Sequence, residues 1–295
     1  MKKTVLSNSI IGLMLLSAWV CWSPVLASED YQNELRLFHS KIKEDGGDKT
    51  SQTGLAFRGY FVPVTTQGIP LDEAAFLDRA GNVSIVYSDN KFDGSFELTT
   101  DLWGINATLA KQSIPWMLSL SYFNEDGKTT DPINIDVTSE TFDLGVGYFV
   151  EDGLLIVGQY EQTDTKISSA FTDNDLERTT YGVGVKWLHL LSAQTALNLE
   201  ANVERIRNKN ASKTDDGQNI SISGDYYFTP EASAGLWYSK LTHDDKSREG
   251  SLLGITAKYF VKPQFSVGVD VGWFDAESAG DENDERWSLS LAYRF

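Results

Sequence analysis

Cysteine, histidine and basic residues are all scarce in this chain, and each scarcity excludes something. Cys21 is the only cysteine, so no intramolecular disulfide and no cysteine-based metal site can form. It lies in an N-terminal stretch that reads as a secretory signal. Lys2 and Lys3 make a positive start, an apolar run extends from Val5 to Val20, and Val25-Leu26-Ala27 offers a small-residue cleavage site. Cleavage after Ala27 would leave residues 28–295 as the mature domain, with no thiol. Beyond this stretch no run of eighteen apolar residues occurs, which excludes a membrane-spanning helix. Lys and Arg number 25 against 42 Asp and Glu, for a net charge of −17, or −19 once Lys2 and Lys3 are lost. Without a basic face, nucleic acid is excluded as a partner.

Catalytic motifs are also missing. The chain has no G-x-S-x-G, no H-E-x-x-H and no glycine-rich phosphate loop. Of its three histidines, His39 lies near the first strand, His189 reads as part of a short turn, and His243 is the one candidate base, near Ser239 and beside Asp244 and Asp245. A single loop histidine does not make a triad, so the expectation is a protein that is not an enzyme, with no catalytic residue, cofactor or bound metal assigned.

What the chain has is alternation with period two. Trp287, Leu289, Leu291, Tyr293 and Phe295 share one face of the last segment, and Ser288, Ser290, Ala292 and Arg294 the other. Phe265, Val267, Val269, Val271 and Trp273 alternate with Ser266, Gly268, Asp270 and Gly272 in the segment before it. Each apolar face is aliphatic in the middle and aromatic at an end, which suits a strand crossing a bilayer between two interfaces. The mean hydropathy of −0.27 agrees, because only every second strand residue would face lipid.

Fourteen such segments can be counted: 31–43, 49–61, 81–88, 95–110, 115–124, 140–149, 154–163, 178–187, 194–206, 218–228, 232–242, 250–261, 265–274 and 286–295. The pattern predicts an all-β, transmembrane, antiparallel up-and-down β-barrel, with twelve or sixteen strands as alternatives. A phase change between Asp101 and Leu109 suggests a bulge. Short turns near 111–114, 150–153, 188–193, 229–231 and 262–264 alternate with longer polar segments near 44–48, 89–94, 125–139, 164–177, 207–217, 243–249 and 275–285. That is the layout of an outer-membrane barrel with its termini in the periplasm and its long loops outside. The nearest thing to an amphipathic helix is Leu71 to Arg79.

A hairpin unit of roughly forty residues recurs. Tyr148-Phe149, Tyr227-Phe228 and Tyr259-Phe260 each end a strand with an aromatic pair before a short turn. The repeat reads as structural.

More than half of the acidic residues fall in the seven longer segments, with about a third of the basic ones. The acidity therefore belongs to one end. It reads as a solvated rim, as a funnel that concentrates cations, or as loop sites for divalent cations, with Asp281 to Glu285 and Asp173-Asn174-Asp175 the densest runs. The phase opposite the apolar one would line the interior. It carries Arg58, Asp143, Lys186, Asn198, Glu200, Asn202, Glu204, Asp225, Lys258, Asp270 and Arg294, because a charge on the lipid face costs a few kcal/mol at mid-depth. Intervening glycines such as Gly145, Gly184, Gly254 and Gly272 argue for space rather than a packed interior.

Two segments resemble a known family. Gly59-Tyr60-Phe61-Val62-Pro63-Val64 followed by Gly68 to Ala80, with Pro70-Leu71-Asp72-Glu73-Ala74-Ala75-Phe76-Leu77-Asp78-Arg79, is similar to a joint in the general porins of proteobacterial outer membranes. The end of the chain, with Trp287, Leu289, Leu291 and Tyr293 leading to Phe295, resembles the signal read by the barrel-assembly machinery. The resemblance implies a pore for passive diffusion of ions and small hydrophilic solutes, biased toward cations by its acidic rim. Implied partners are outer-membrane lipid and lipopolysaccharide, the assembly machinery and other copies of the chain in a homo-oligomer. Trimeric porins with a folded-in constriction loop are usually longer. Here segment 125–139 is the one long enough to reach inward. Two other readings stand beside the pore: a closed barrel that works through its loops, and a channel specific for one solute class.

Overall fold

The computed structural model describes residues 30–43, 48–66, 69–94, 97–129, 134–169, 173–192, 194–210, 213–244, 249–276 and 283–295. The stretch read as a signal, 1–27, lies outside them. Fourteen strands form one closed antiparallel barrel. They are β1 (Tyr31–Lys43), β2 (Lys49–Val64), β3 (Asn82–Asp93), β4 (Glu97–Lys111), β5 (Ile114–Thr129), β6 (Ile135–Glu151), β7 (Leu154–Ser169), β8 (Asp173–Leu190), β9 (Ala196–Asn210), β10 (Thr214–Thr229), β11 (Ala232–His243), β12 (Gly250–Lys262), β13 (Phe265–Ala276) and β14 (Asn283–Arg294). Each strand pairs with its sequence neighbour, and β14 closes on β1 through Leu37↔Leu291 and His39↔Leu289. Closure leaves no unpaired edge, which a strand needs in hydrocarbon because nothing there replaces a missing hydrogen bond.

The apolar phase faces out. Val183, Leu236 and Leu253 are each more than half exposed, as expected of a surface whose solvent is lipid. Exposed aromatics form two belts. Trp116, Tyr148, Phe228, Tyr259 and Tyr293 ring the end with the short turns. Tyr87, Trp103, Phe142, Tyr181, Trp273 and Trp287 ring the other. Rings with an apolar body and a polar edge suit the two bilayer interfaces.

Beyond the second belt the pattern inverts. Leu98 and Leu102 of β4, Ile206 of β9 and Leu241 of β11 turn inward and are buried, while Glu97, Thr99 and Asp101 face out. This corrects the expected bulge at 101–109. β4 keeps one phase against β3 from Glu97 to Thr108, and its register shift comes later, between Leu109 and Lys111. The phase change in the sequence marks a change of surroundings: below it lipid takes the apolar side chains, above it water takes the polar ones.

The same inversion corrects the loops. Segments 89–94, 125–139, 164–177 and 207–217 read as loops because they are polar, but strand pairing runs through most of each. β5 and β6 pair out to Lys128↔Asp136, and β7 and β8 out to Ser168↔Asp173. Polar cross-strand contacts such as Thr138 Oγ1 to Asp126 at 3.3 Å hold these extensions together. Segment 125–139 is thus mostly wall and is not the inward-reaching loop. His189, expected in a turn, belongs to β8 and stacks on Trp187 at 5.1 Å.

Candidate functional site

Among the described residues, the connection between β2 and β3 is the one that folds inward. Pro70, Leu71 and Asp72 lead into a single helical turn, α1 (Ala74–Leu77), closed by Leu77 N–H donating to Glu73 O and Asp78 N–H to Ala74 O. Leu71 packs on Phe260 of β12, and its N–H donates to Pro230 O in the β10–β11 turn. Phe76 lies 5.7 Å from the Phe149 ring of β6 and, with Leu77, packs against Leu188 of β8 and Tyr227 of β10. Ala74 packs with Tyr31 of β1 and Tyr60 of β2. One segment touching β1, β2, β6, β8, β10 and β12 can do so only by lying across the bore.

Its charges anchor in the wall. Asp72 pairs with Lys258 of β12. Glu73 pairs with Lys186 of β8 at 2.8 Å and accepts from the Tyr227 hydroxyl at 3.0 Å. Lys186 also reaches Glu200 of β9 at 2.8 Å. Burial pushes the Glu73 carboxyl up to about 7; Lys186 opposes that rise, and Asp72 and Glu200 add to it. The segment ends on Arg79, at φ 47°, a conformation few non-glycine residues adopt. Arg79 is held there by Asp152 at 2.8 Å in the β6–β7 turn and by the Phe149 ring 4.3 Å below its guanidinium.

The recurring aromatic pair now has a job. In Tyr60-Phe61, Tyr148-Phe149 and Tyr259-Phe260 one ring turns out to the belt while Tyr60, Phe149 or Phe260 turns in, buried, beneath the crossing segment. Tyr227, followed by the outward Phe228, does the same. The repeat is the socket.

Beside the segment lies a polar pocket lined by Asp72, Glu73, Asp225, Lys258, Asp270 and Ser290 among others. Asp225, Gly235, Thr256 and Asp270 form one cross-strand row over β10 to β13. One step up the wall, Trp237 of β11 lies flat across Gly254 and Gly272, where any Cβ would fall within 3 Å of its ring. Its indole N–H donates to Asp270 at 2.7 Å. These glycines, read as bare space, make room for a side chain laid along the wall. Gly184 likewise takes Asn202.

A model of the family described as "putative general bacterial porin" matches residues 1–295. The chain belongs to this family. Among solved structures, the barrel is similar to the outer membrane protein Omp33 of Acinetobacter baumannii. The TM-score is 0.55 and identity 21%, over 90% of this chain and 99% of that one. It is also similar to the TodX monoaromatic hydrocarbon channel (TM-score 0.52, identity 9%, 91% of this chain and 90% of that one). A bacterial polysaccharide outer membrane secretin gives TM-score 0.51 and identity 12%, over 91% and 100%. Comparison with curated protein sequences gives no match. The chain is thus a porin-family barrel of the outer-membrane type.

The porin's lumen gathers the residues named from the sequence, though unevenly. Lys186, Glu200 and Lys258 meet the crossing segment or its partners. Arg294 of β14 is buried, pairs with Glu34 of β1 and lies 4.7 Å over the Tyr31 ring. Arg58 of β2 is the cross-strand neighbour of Glu34. Glu204 accepts from Gln159 at 2.5 Å and Asn219 at 3.0 Å, and Asp143 accepts from Ser121 at 3.3 Å. Inward charges of both signs alternate around the wall: Arg58, Lys258 and Arg294 on β2, β12 and β14 are interleaved with Glu34 on β1 and Asp270 on β13, and Asp143, Glu200, Glu204 and Asp225 on β6, β9 and β10 with Lys186 on β8. His243 of β11 sits 3.3 Å from Asp215 of β10, on the inner wall rather than in a loop. Trp287, Leu289, Leu291, Tyr293 and Phe295 share the outward face at the closing seam.

Sequence reasoning missed Glu34, Asp72, Glu73, Tyr227 and Trp237. The adjacent acids in an otherwise apolar turn were the available signal: a Leu-Asp-Glu-Ala-Ala-Phe segment has no reason to be so apolar unless it is buried. The acidic run at Asp281 to Glu285 lies partly outside the described residues. Among the described residues no three His, Cys, Asp or Glu are grouped to hold a metal.

Proposed function

We propose that this porin passes ions and small hydrophilic solutes passively, favours cations, and is narrowed at rest by the segment across its bore. The short-turn end and both termini face the periplasm, and the extended strands stand outside the cell. The observation that carries the cation bias is an imbalance in pairing. Asp143, Asp225 and Asp270 make no ion pair among the described residues, whereas Lys186, Lys258 and Arg294 are each tied to a carboxylate. A permeating cation meets three carboxylates without a paired cation, whereas Lys186, Lys258 and Arg294 offer a permeating anion charge that is already paired.

The test is the reversal potential of the folded protein in a planar bilayer under a KCl gradient. Cation preference is expected, with Asp225→Asn plus Asp270→Asn reducing the permeability ratio about twofold. A reversal potential favouring chloride overturns the bias. The crossing segment also favours a second reading, a barrel closed throughout and working through its outer rim. Absence of any conductance from a barrel shown to be folded would select it.

A further inference from the structure

The outer face of β9 carries the strongest unassigned feature. Below it, Leu199, Ala201 and Val203 face lipid. Then Arg205, Arg207 and Lys209 follow at successive outward positions, about 6.6 Å apart along the strand. Arg205 stands directly across from Tyr181 of β8, a member of the loop-end aromatic belt. On β9 the belt is therefore continued by a guanidinium. That places the stripe at the depth of lipid headgroups, the level at which belt aromatics sit.

Lys41 of β1 stands across from Trp287, but three other belt rings take acidic or neutral partners. Tyr87 donates to Asp101, Tyr122 to Glu140, and Trp103 to Asn124. On β9 a single carboxylate, Asp216, holds both arginines, Arg205 at 2.9 Å and Arg207 at 3.0 Å. Glu177 takes Lys209 at 3.1 Å. These contacts use only part of the donors of each guanidinium, and the arginine and lysine side chains stay more than half exposed. Asp216 thus sets two planar forks side by side without covering them. Two aligned guanidiniums with a lysine beyond them, facing sideways into the bilayer at the headgroup level, match a phosphate.

The geometry points to Arg205, Arg207 and Lys209 as a docking site for a phosphate-bearing glycolipid headgroup of the outer leaflet. It rests on the orientation proposed above, since only then does this belt meet the outer leaflet. A phosphate fixed here would continue the wall of β8–β10 into the lipid layer, while the carboxylates along β4 and β6 would repel one.

The test uses the full-length folded porin and diphosphorylated lipid A in detergent, with native mass spectrometry as readout. At 0.15 M salt the expected result is at least tenfold weaker binding by the Arg205→Ala, Arg207→Ala, Lys209→Ala variant than by the unsubstituted protein. The side chains are exposed, so heat-modifiable gel migration should report the same fold in both. Dephosphorylated lipid A should bind the unsubstituted protein as weakly as the variant binds lipid A. Millimolar inorganic phosphate should not compete, which separates a lipid site from an anion site. Equal binding by the variant, equal binding of dephosphorylated lipid, or displacement by inorganic phosphate overturns the proposal. Orientation is read separately: Lys209→Cys should react with an impermeant maleimide on intact cells. Failure of that reaction with binding intact would refute the orientation and leave the site.

Discussion

The two ends of this barrel use the same kinds of ion pair in opposite surroundings. At the turn end, Arg294–Glu34, Lys258–Asp72 and Lys186–Glu73 are buried among Tyr31, Phe260 and Phe76. At the loop end, Lys128–Asp136 is a 3.7 Å contact between side chains 79% and 63% exposed, and Lys91–Glu97 is likewise half exposed. A buried pair must satisfy its own charges, because little water reaches them, and removing one partner strands the other. An exposed pair trades one hydration for another and contributes little. The turn end is accordingly built as a folded core inside the pore, with the crossing segment as its centre. The loop end is a wall of paired strands with water on the outside.

That contrast can be broken most sharply at Glu34. Glu34→Ala leaves Arg294, 1% exposed, without its carboxylate. The expected loss is about 3–5 kcal/mol of unfolding stability, read from urea unfolding in lipid vesicles. Asp136→Ala at the other end should not move the midpoint measurably; an equal shift would mean the two ends are not different in kind. The inverted wall is tested by Leu102→Ala, which removes a buried inward side chain above the belt and should cost about 2 kcal/mol. If that substitution is silent, the loop end has no core.

A smaller effect comes from pH. The docked Glu73 holds its proton up to about 7, whereas a carboxyl released into water titrates near 4.5. A group whose pKa is raised on docking favours the docked state below the lower value, and that advantage is lost as pH rises through the higher one. Lys186, Glu200, Tyr227 and Asp72 face this carboxyl. The open fraction of single channels should rise by one to two orders of magnitude, at about pH 8 relative to about pH 5. Glu73→Gln should flatten the dependence. A rise on acidification would reverse the assignment.

How legible each region was in the sequence follows from the same contrast. Within the lipid band the alternation is enforced by one strong requirement, apolar outward, so strands such as β13 and β14 could be read almost residue by residue. Above the belt that requirement reverses, and polar runs such as 125–139 and 164–177 looked like loops although their backbones stay paired. The partners of the inward-phase charges were not readable. Glu34 and Arg294 lie at opposite ends of the chain, and only barrel closure brings them together. The crossing segment was visible as a short helical stretch and a family-like motif. Its position in the bore was not, because the socket that receives it is assembled from rings on four separate strands.

The central claim is that passage through the barrel is governed by segment 69–81. The most direct measurement is single-channel conductance of the folded protein beside its Asp72→Ala, Glu73→Ala variant, with heat-modifiable migration confirming both as barrels. The account predicts small or infrequent openings in the unsubstituted protein and severalfold larger or longer ones in the variant, in steps that scale with salt. Identical conductance in the two proteins would contradict it.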